Sequence, residues 1–201
     1  MVSSANKYYT AYVTNAKKGT VANIAVQSSE QLEIKKKIFN GELNEYPAYF
    51  NLHSCFVTDR YYEGDITDDE PEDYLVTNMT AIFMSERLKD IISSELKDTE
   101  KVRWIKADIR SLTKTYTYYA MLFTEYLDII DTEKTMYVEG VGSLIVNPFY
   151  KQNEAEKYAV FHKQSESWQF PSSFSVNEAI KKKIKKAKIT GITLELIKRI
   201  H

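Results

Sequence analysis

His53 and Cys55 stand two residues apart, so on an extended strand both side chains project to one face, as half of a metal site requires. The other half is missing: the remaining histidines are His162 and His201, and Cys55 is the single cysteine. The pair therefore reads as a packed cysteine beside a partly exposed histidine, with no metal expected. Asp65, Thr67 and Asp69 fall at the first, third and fifth positions of a calcium loop. Glu70 then occupies the place of the turn glycine and Val76 that of the bidentate glutamate, which excludes the site. Gly140-Val141-Gly142 follows a strand-like Met136-Tyr137-Val138, but the third glycine of a dinucleotide cradle is absent, and Ser143 to Phe149 reads as strand where a helix N-terminus is needed. There is no P-loop, no H-E-x-x-H and no G-x-S-x-G. No catalytic, cofactor-binding or metal-binding set emerges, so an enzyme, a cofactor and a small-molecule substrate are not expected.

What remains is charge. The net charge of -1 conceals two opposite blocks. Seven carboxylates, Glu63, Asp65, Asp68, Asp69, Glu70, Glu72 and Asp73, lie between Tyr61-Tyr62 and Tyr74. The run reads either as a solubilising loop or as a recognition surface, in which tyrosines supply contact area and acids steer a basic partner. Six lysines lie between Lys181 and Lys188. Lysine without arginine there reads as the solvated back of an amphipathic helix, helped by its place near the helix C-terminus, and a nucleic-acid partner is not expected.

These groups must be held by a scaffold of strands and helices. Residues 7–14 and 19–26 are tyrosine- and valine-rich strands, with a turn from Asn15 to Gly19 between them. A helix opens at Ser28 or Ser29, with Leu32, Ile38 and Phe39 as candidates for its buried face, and Asn40-Gly41 closes it. Residues 46–58 are extended, the acidic segment is a loop, and 75–84 form a strand feeding a helix from Ser85. In that helix Leu88, Ile92 and Leu96 recur every fourth position, with Ile91 alongside. Strands follow at 102–109 and 115–123, and residues 135–138 and 143–146 form a hairpin about Glu139-Val141. The last helix begins with an S-x-x-E capping box, Ser175 to Glu178, and places Val176, Ile180, Ile184 and Ala187 on one face. Gly191 breaks it, and Ile192, Leu194 and Leu196 alternate as a strand.

The stretch 84–105 is a looser copy of this C-terminal unit. Helices and strands interleave without a regular βαβ rhythm, so the fold class is α+β, with a mixed, largely antiparallel sheet, a few packed helices and two related helix–strand units. With 201 residues, the chain is expected to be one domain, with lobes 1–75 and 76–201. The polar start, the absence of any long apolar run and the lone cysteine predict a cytoplasmic protein that does not enter a membrane.

Residues 83–105, 118–138 (YYAMLFTEYLDIIDTEKTMYV) and 174–197 (FSVNEAIKKKIKKAKITGITLELI) resemble a family of immunity proteins of bacterial polymorphic toxin systems. Ser175, Glu178, Ile180, Ile184, Gly191 and Ile192 fill its closing pattern of Ser-led helix, glycine turn and strand. Asp128, Asp131 and Lys134-Thr135 fill its D-x-x-D-x-x-K-S/T stretch. Two positions depart from it: Lys188 replaces the glycine usual after the last helix, and Leu194 the aromatic of the final strand. The resemblance implies a protein that binds and neutralises a cognate toxin domain. The acidic-aromatic segment (Tyr61, Tyr62, Glu63, Asp65, Asp68, Asp69, Glu70, Glu72, Asp73, Tyr74) is then the expected partner surface. Two rivals stand beside it: an enzyme with a scattered site drawn from His53, Asp128, Asp131 and Lys134, and a nucleic-acid module using Lys182 and Lys185.

Overall fold

The computed structural model describes residues 7–14, 18–25, 28–57, 61–79, 81–138, 145–162, 168–171 and 173–200; the side chains of 18, 28, 56, 57, 61–63, 146 and 147 lie outside that description. The strands are β1 (Tyr8–Val13), β2 (Lys18–Asn23), β3 (Phe50–Val57), β4 (Tyr61–Ile66), β5 (Tyr74–Thr77), β6 (Ile82–Ser85), β7 (Val102–Arg110), β8 (Thr115–Phe123), β9 (Met136–Tyr137), β10 (Ile145–Asn147), β11 (Val160–His162), β12 (Phe174–Asn177) and β13 (Ile192–Leu196). The helices are α1 (Ser28–Phe39), α2 (Glu86–Ser93), α3 (Gln152–Ala155) and α4 (Glu178–Ala187). The architecture is α+β, and its pairings are mostly antiparallel with parallel exceptions at β2–β5 and β3–β7.

The larger sheet runs β2-β5-β6-β8-β7-β3-β4, and β2 also pairs with β3, so six of its strands close a circuit and β4 extends along β3. Closure removes the exposed edges that an open sheet would carry. Inside the barrel pack Leu52, Leu75, Phe83, Ile105, Ile109 and Leu122, among others, and Ile34 and Ile38 of α1 join them. Beyond Ile38, α1 ends at Gly41, whose φ of +82° turns the chain, while Arg103 on β7 donates to the Ile38 carbonyl. The apolar face of α1 differs from the expected one: Leu32 and Phe39 are exposed at 54% and 43%. Ile34 and Ile38, four apart, lie one above the other, whereas Leu32 and Phe39, seven apart, share the opposite, solvent side.

The smaller sheet has the order β11-β12-β1-β13, all antiparallel. β1 and β2 therefore do not form a hairpin; they enter different sheets, and most of the expected turn between them, residues 15–17, is outside the described residues. The hairpin expected near 135–146 is present as β9 paired with β10, its turn at 139–144 likewise outside the description. The segment expected as one strand, 75–84, is two antiparallel strands, β5 and β6.

A second core fills the space between the small sheet and the barrel's outer wall, where Met84, Met121 and Phe123 meet Tyr9, Phe174 and Val176. β6 and the end of β8, from Ala120 to Phe123, are consequently buried on both faces, which explains why these stretches are nearly unbroken apolar runs. Leu88 and Ile92 of α2 and Ile180 and Ile184 of α4 complete this core. A third cluster, including Tyr8, Ile130, Tyr150 and Phe161, covers part of the small sheet's other face.

The two related units are visible and their true register is shifted from the expected one. Ser85, the last residue of β6, accepts from Leu88 N at 3.3 Å, and Asn177, the last residue of β12, accepts from Ile180 N at 2.9 Å. Asn177, not Ser175, is thus the helix cap, while Ser175 is a buried strand residue and Val176 belongs to the strand. The correspondence continues into the neighbouring strand. Lys89 of α2 sits 4.2 Å over the ring of Tyr119, which pairs with Met84; Lys181 of α4 sits 3.8 Å over the ring of Tyr9, which pairs with Val176. The two helices lie side by side in opposite directions, since Arg87 Nη2 donates to the Ala187 carbonyl at 2.9 Å and Lys183 Nζ lies 2.5 Å from Glu95 Oε1. Ala187, expected on the apolar face, is exposed.

Candidate functional site

The acidic segment is not a single loop. Its first third is β4, which lies along β3 through pairs such as His53 with Ile66. Thr67 N then donates to Leu52 O at 3.0 Å, and the chain crosses the barrel end to β5. The side chains of Tyr61, Tyr62 and Glu63 are outside the description, whereas Asp65, Asp68, Asp69 and Glu70 are exposed.

The end of the segment is drawn inward, and here the expected surface must be corrected. Tyr74 is 1% exposed and packs against Phe174; burial pushes its hydroxyl well above the usual tyrosine range. Asp73 is 8% exposed. Its carboxylate accepts from Ser85 Oγ at 2.6 Å and from Thr190 N at 3.0 Å, and lies 3.3 Å from Arg87 Nε. Asp73 thus joins the cap of α2 to the turn after α4. Glu72 is half-buried, and its carboxylate accepts from Thr20 N at 3.2 Å and from the Thr20 hydroxyl. Asp73 and Tyr74 are both buried and make contacts that join the barrel to the C-terminal unit.

Asp68 does something different. Its Oδ1 accepts from Thr113 N at 2.9 Å and Thr113 Oγ1 at 3.0 Å, tying the acidic segment to the tip of the β7–β8 hairpin. Hydrogen bonding to Ser111, and then to Thr113 and Leu112, holds the Asp68 carboxyl below the usual range against an opposing desolvation effect. The tip is also closed upon itself, with Ser111 N donating to Lys114 O at 2.9 Å and Lys114 N to Ser111 Oγ at 3.0 Å.

This neighbourhood contains residues that sequence reasoning missed. Leu112, at the tip, is 67% exposed. Tyr49, 47% exposed, lies under the Arg110 guanidinium at 3.7 Å, and Ile66 at the end of β4 is 36% exposed. Single exposed apolar residues carry no signal in a sequence. The pairing of Asn51 with Arg110 and of His53 with Ile66 places all three at the same end of the barrel.

The groups proposed for a scattered enzyme site are placed as follows. His53 lies on the barrel, with Nδ1 3.1 Å from the Gly64 carbonyl oxygen, and Cys55 is buried. Asp128 lies 3.1 Å from Lys151 Nζ. Asp131 accepts from Glu133 N and Lys134 N and pairs with Lys134 Nζ at 3.1 Å, so the D-x-x-K stretch is a stapled turn whose Thr135 accepts from Phe149 N. Of the four expected groups, Asp131 and Lys134 are paired with each other, while Asp128 pairs with Lys151 and His53 meets the Gly64 carbonyl. On α4, Lys181 is committed to Tyr9 and Glu178 and Lys183 to Glu95, while Lys182, Lys185 and Lys186 face solvent.

The molecule is an α+β protein in which a strand–helix unit, used twice, welds a small antiparallel sheet to a closed barrel. The chain matches the Imm11 immunity protein family over residues 7–199, nearly its whole length, and belongs to that family. No curated protein matches it. Toxin immunity is therefore its general role, and a toxin is its general partner. Among the described residues no helix is long and apolar enough to cross a membrane.

Proposed function

We propose that the chain protects the cell by binding one cognate toxin in a stoichiometric complex, without turning over a substrate, and that it does so in the cytoplasm. The observation that carries this reading is the family match across residues 7–199. The surface chemistry supports it. Asp65, Asp68, Asp69 and Glu70 stand exposed on one flank, where their summed field raises the encounter rate with a basic partner surface. Two groups of the catalytic rival, Asp128 and Asp131, pair with Lys151 and Lys134.

The experiment is rescue followed by isolation. Products of adjacent open reading frames are expressed alone and together with this chain, and growth is followed. The expected result is one product that arrests growth alone, is tolerated with this chain, and co-elutes with it at equal molar amounts. Rescue with no complex at micromolar concentrations would sink the binding reading and favour an enzyme that reverses the toxin's damage.

A further inference from the structure

The tip of the β7–β8 hairpin carries an apolar side chain where a turn ordinarily carries polar ones. Leu112, 67% exposed, is bracketed by Ser111, Thr113 and Lys114. Such a leucine on a mobile loop would mean little. This tip is closed by its own hydrogen bonds and held from outside by Asp68, so the leucine is presented in one place. An ordered anchor avoids much of the ordering entropy that association otherwise costs. Two further exposed apolar groups stand at the same barrel end, Tyr49 just before β3 and Ile66 at the end of β4.

We infer that this hairpin tip is the anchor of the toxin interface, with Leu112 entering an apolar pocket on the toxin that is rimmed by basic side chains. The inference rests on the binding reading above and assigns its contact point. Charge decides the occupant. Asp68 touches the tip through Thr113, and Asp65, Asp69 and Glu70 are exposed in the same segment; these four acids outnumber Arg110 and Lys114, and Arg110 is stacked on Tyr49. A second copy of this chain would set acid against acid at that rim, whereas a basic protein surface is complementary. Asp68 acts as a positioning residue, through Thr113, and the other acids act on encounter.

The test uses the full chain and the toxin from which it rescues cells. Leu112→Ser is expected to weaken binding about 10- to 100-fold, the loss from burying one leucine side chain, and to do so through faster dissociation. Its melting curve should match wild type, because the side chain lies outside all three cores. Asp68→Ala should produce part of that loss and Asp68→Asn, which keeps the acceptor for Thr113, should restore it. Asp69→Asn with Glu70→Gln should slow association at low salt and converge with wild type at about 0.5 M salt. Wild-type affinity in both Leu112→Ser and Leu112→Glu, with the wild-type complex intact, would overturn the anchor and leave the binding reading standing. A wild-type chain that forms no complex would remove both.

Discussion

Asp73 gives the sharpest test of the corrected acidic segment. Expected from sequence at a partner surface, it instead sits 8% exposed where the cap of α2 meets the turn after α4. Truncation to alanine removes the acceptor for Ser85 Oγ at 2.6 Å and for Thr190 N at 3.0 Å, and the ion pair to Arg87 at 3.3 Å. Each hydrogen bond to a charged acceptor contributes about 1.5–3 kcal/mol. The Arg87 side chain is 57% exposed, so its pairing adds only about 0.5 kcal/mol after screening. Water entering the gap recovers part of the loss, leaving a destabilisation of about 2–4 kcal/mol. For a domain of this size that lowers Tm by about 5–15 °C. Asp73→Asn retains one acceptor oxygen and should cost about half as much. Urea titration of the three proteins reads the effect directly, and toxin affinity of the folded fraction should not change. A loss below about 0.5 kcal/mol for Asp73→Ala, the range of ordinary surface changes, would refute the hub.

Other substitutions probe the same weld. Gly191 has a φ of +75°, and a Cβ there would lie 2.5 Å from the Tyr74 carbonyl oxygen and 2.7 Å from Glu72 Cβ; Gly191→Ala should cost more than about 2 kcal/mol by urea titration. Lys188 adopts a left-handed conformation, φ 52° and ψ 46°, at the C-terminal cap of α4, so Lys188→Gly should stabilise the protein by about 1 kcal/mol, read as a rise in Tm. Asn177→Ala should cost about 1 kcal/mol through loss of the α4 cap, measured by urea titration; unchanged stability would contradict the register found for the helix start.

Much of the scaffold was legible because local pattern and tertiary demand agree. Leu88 and Ile92 repeat at helical spacing, Ser85 caps them, and both are buried in the structure. The strands at 102–109 and 115–123 stand nearly where β-branched and aromatic residues place them. What was not legible was decided by residues distant in the chain. Ser175 and Asn177 are both competent caps by type; β12 pairing with β1 through residue 177 leaves only Asn177 to start the helix. Tyr9 and Tyr12 look alike in a tyrosine-rich strand, yet one is buried and the other 42% exposed, because the second core faces one side of β1. In the acidic run nothing local distinguishes Asp69 from Asp73. Thr190, 117 positions later, selects Asp73 for the interior. The Leu112 patch was invisible for a similar reason: its members are contributed by separate strands.

β1 lies between β12 and β13, so Tyr9 pairs at once with Val176 and Leu196. During synthesis Tyr9, Ala11 and the barrel's outer wall emerge early and wait, unpaired and greasy, until Phe174 to Leu196 clear the ribosome. Delayed closure of this kind lengthens the search for native pairing and lengthens exposure to aggregation or proteolysis. A cell relying on this chain is therefore defended only by finished copies. A translation product that stops before Val160 supplies a barrel with one wall bare and no small sheet to cover it.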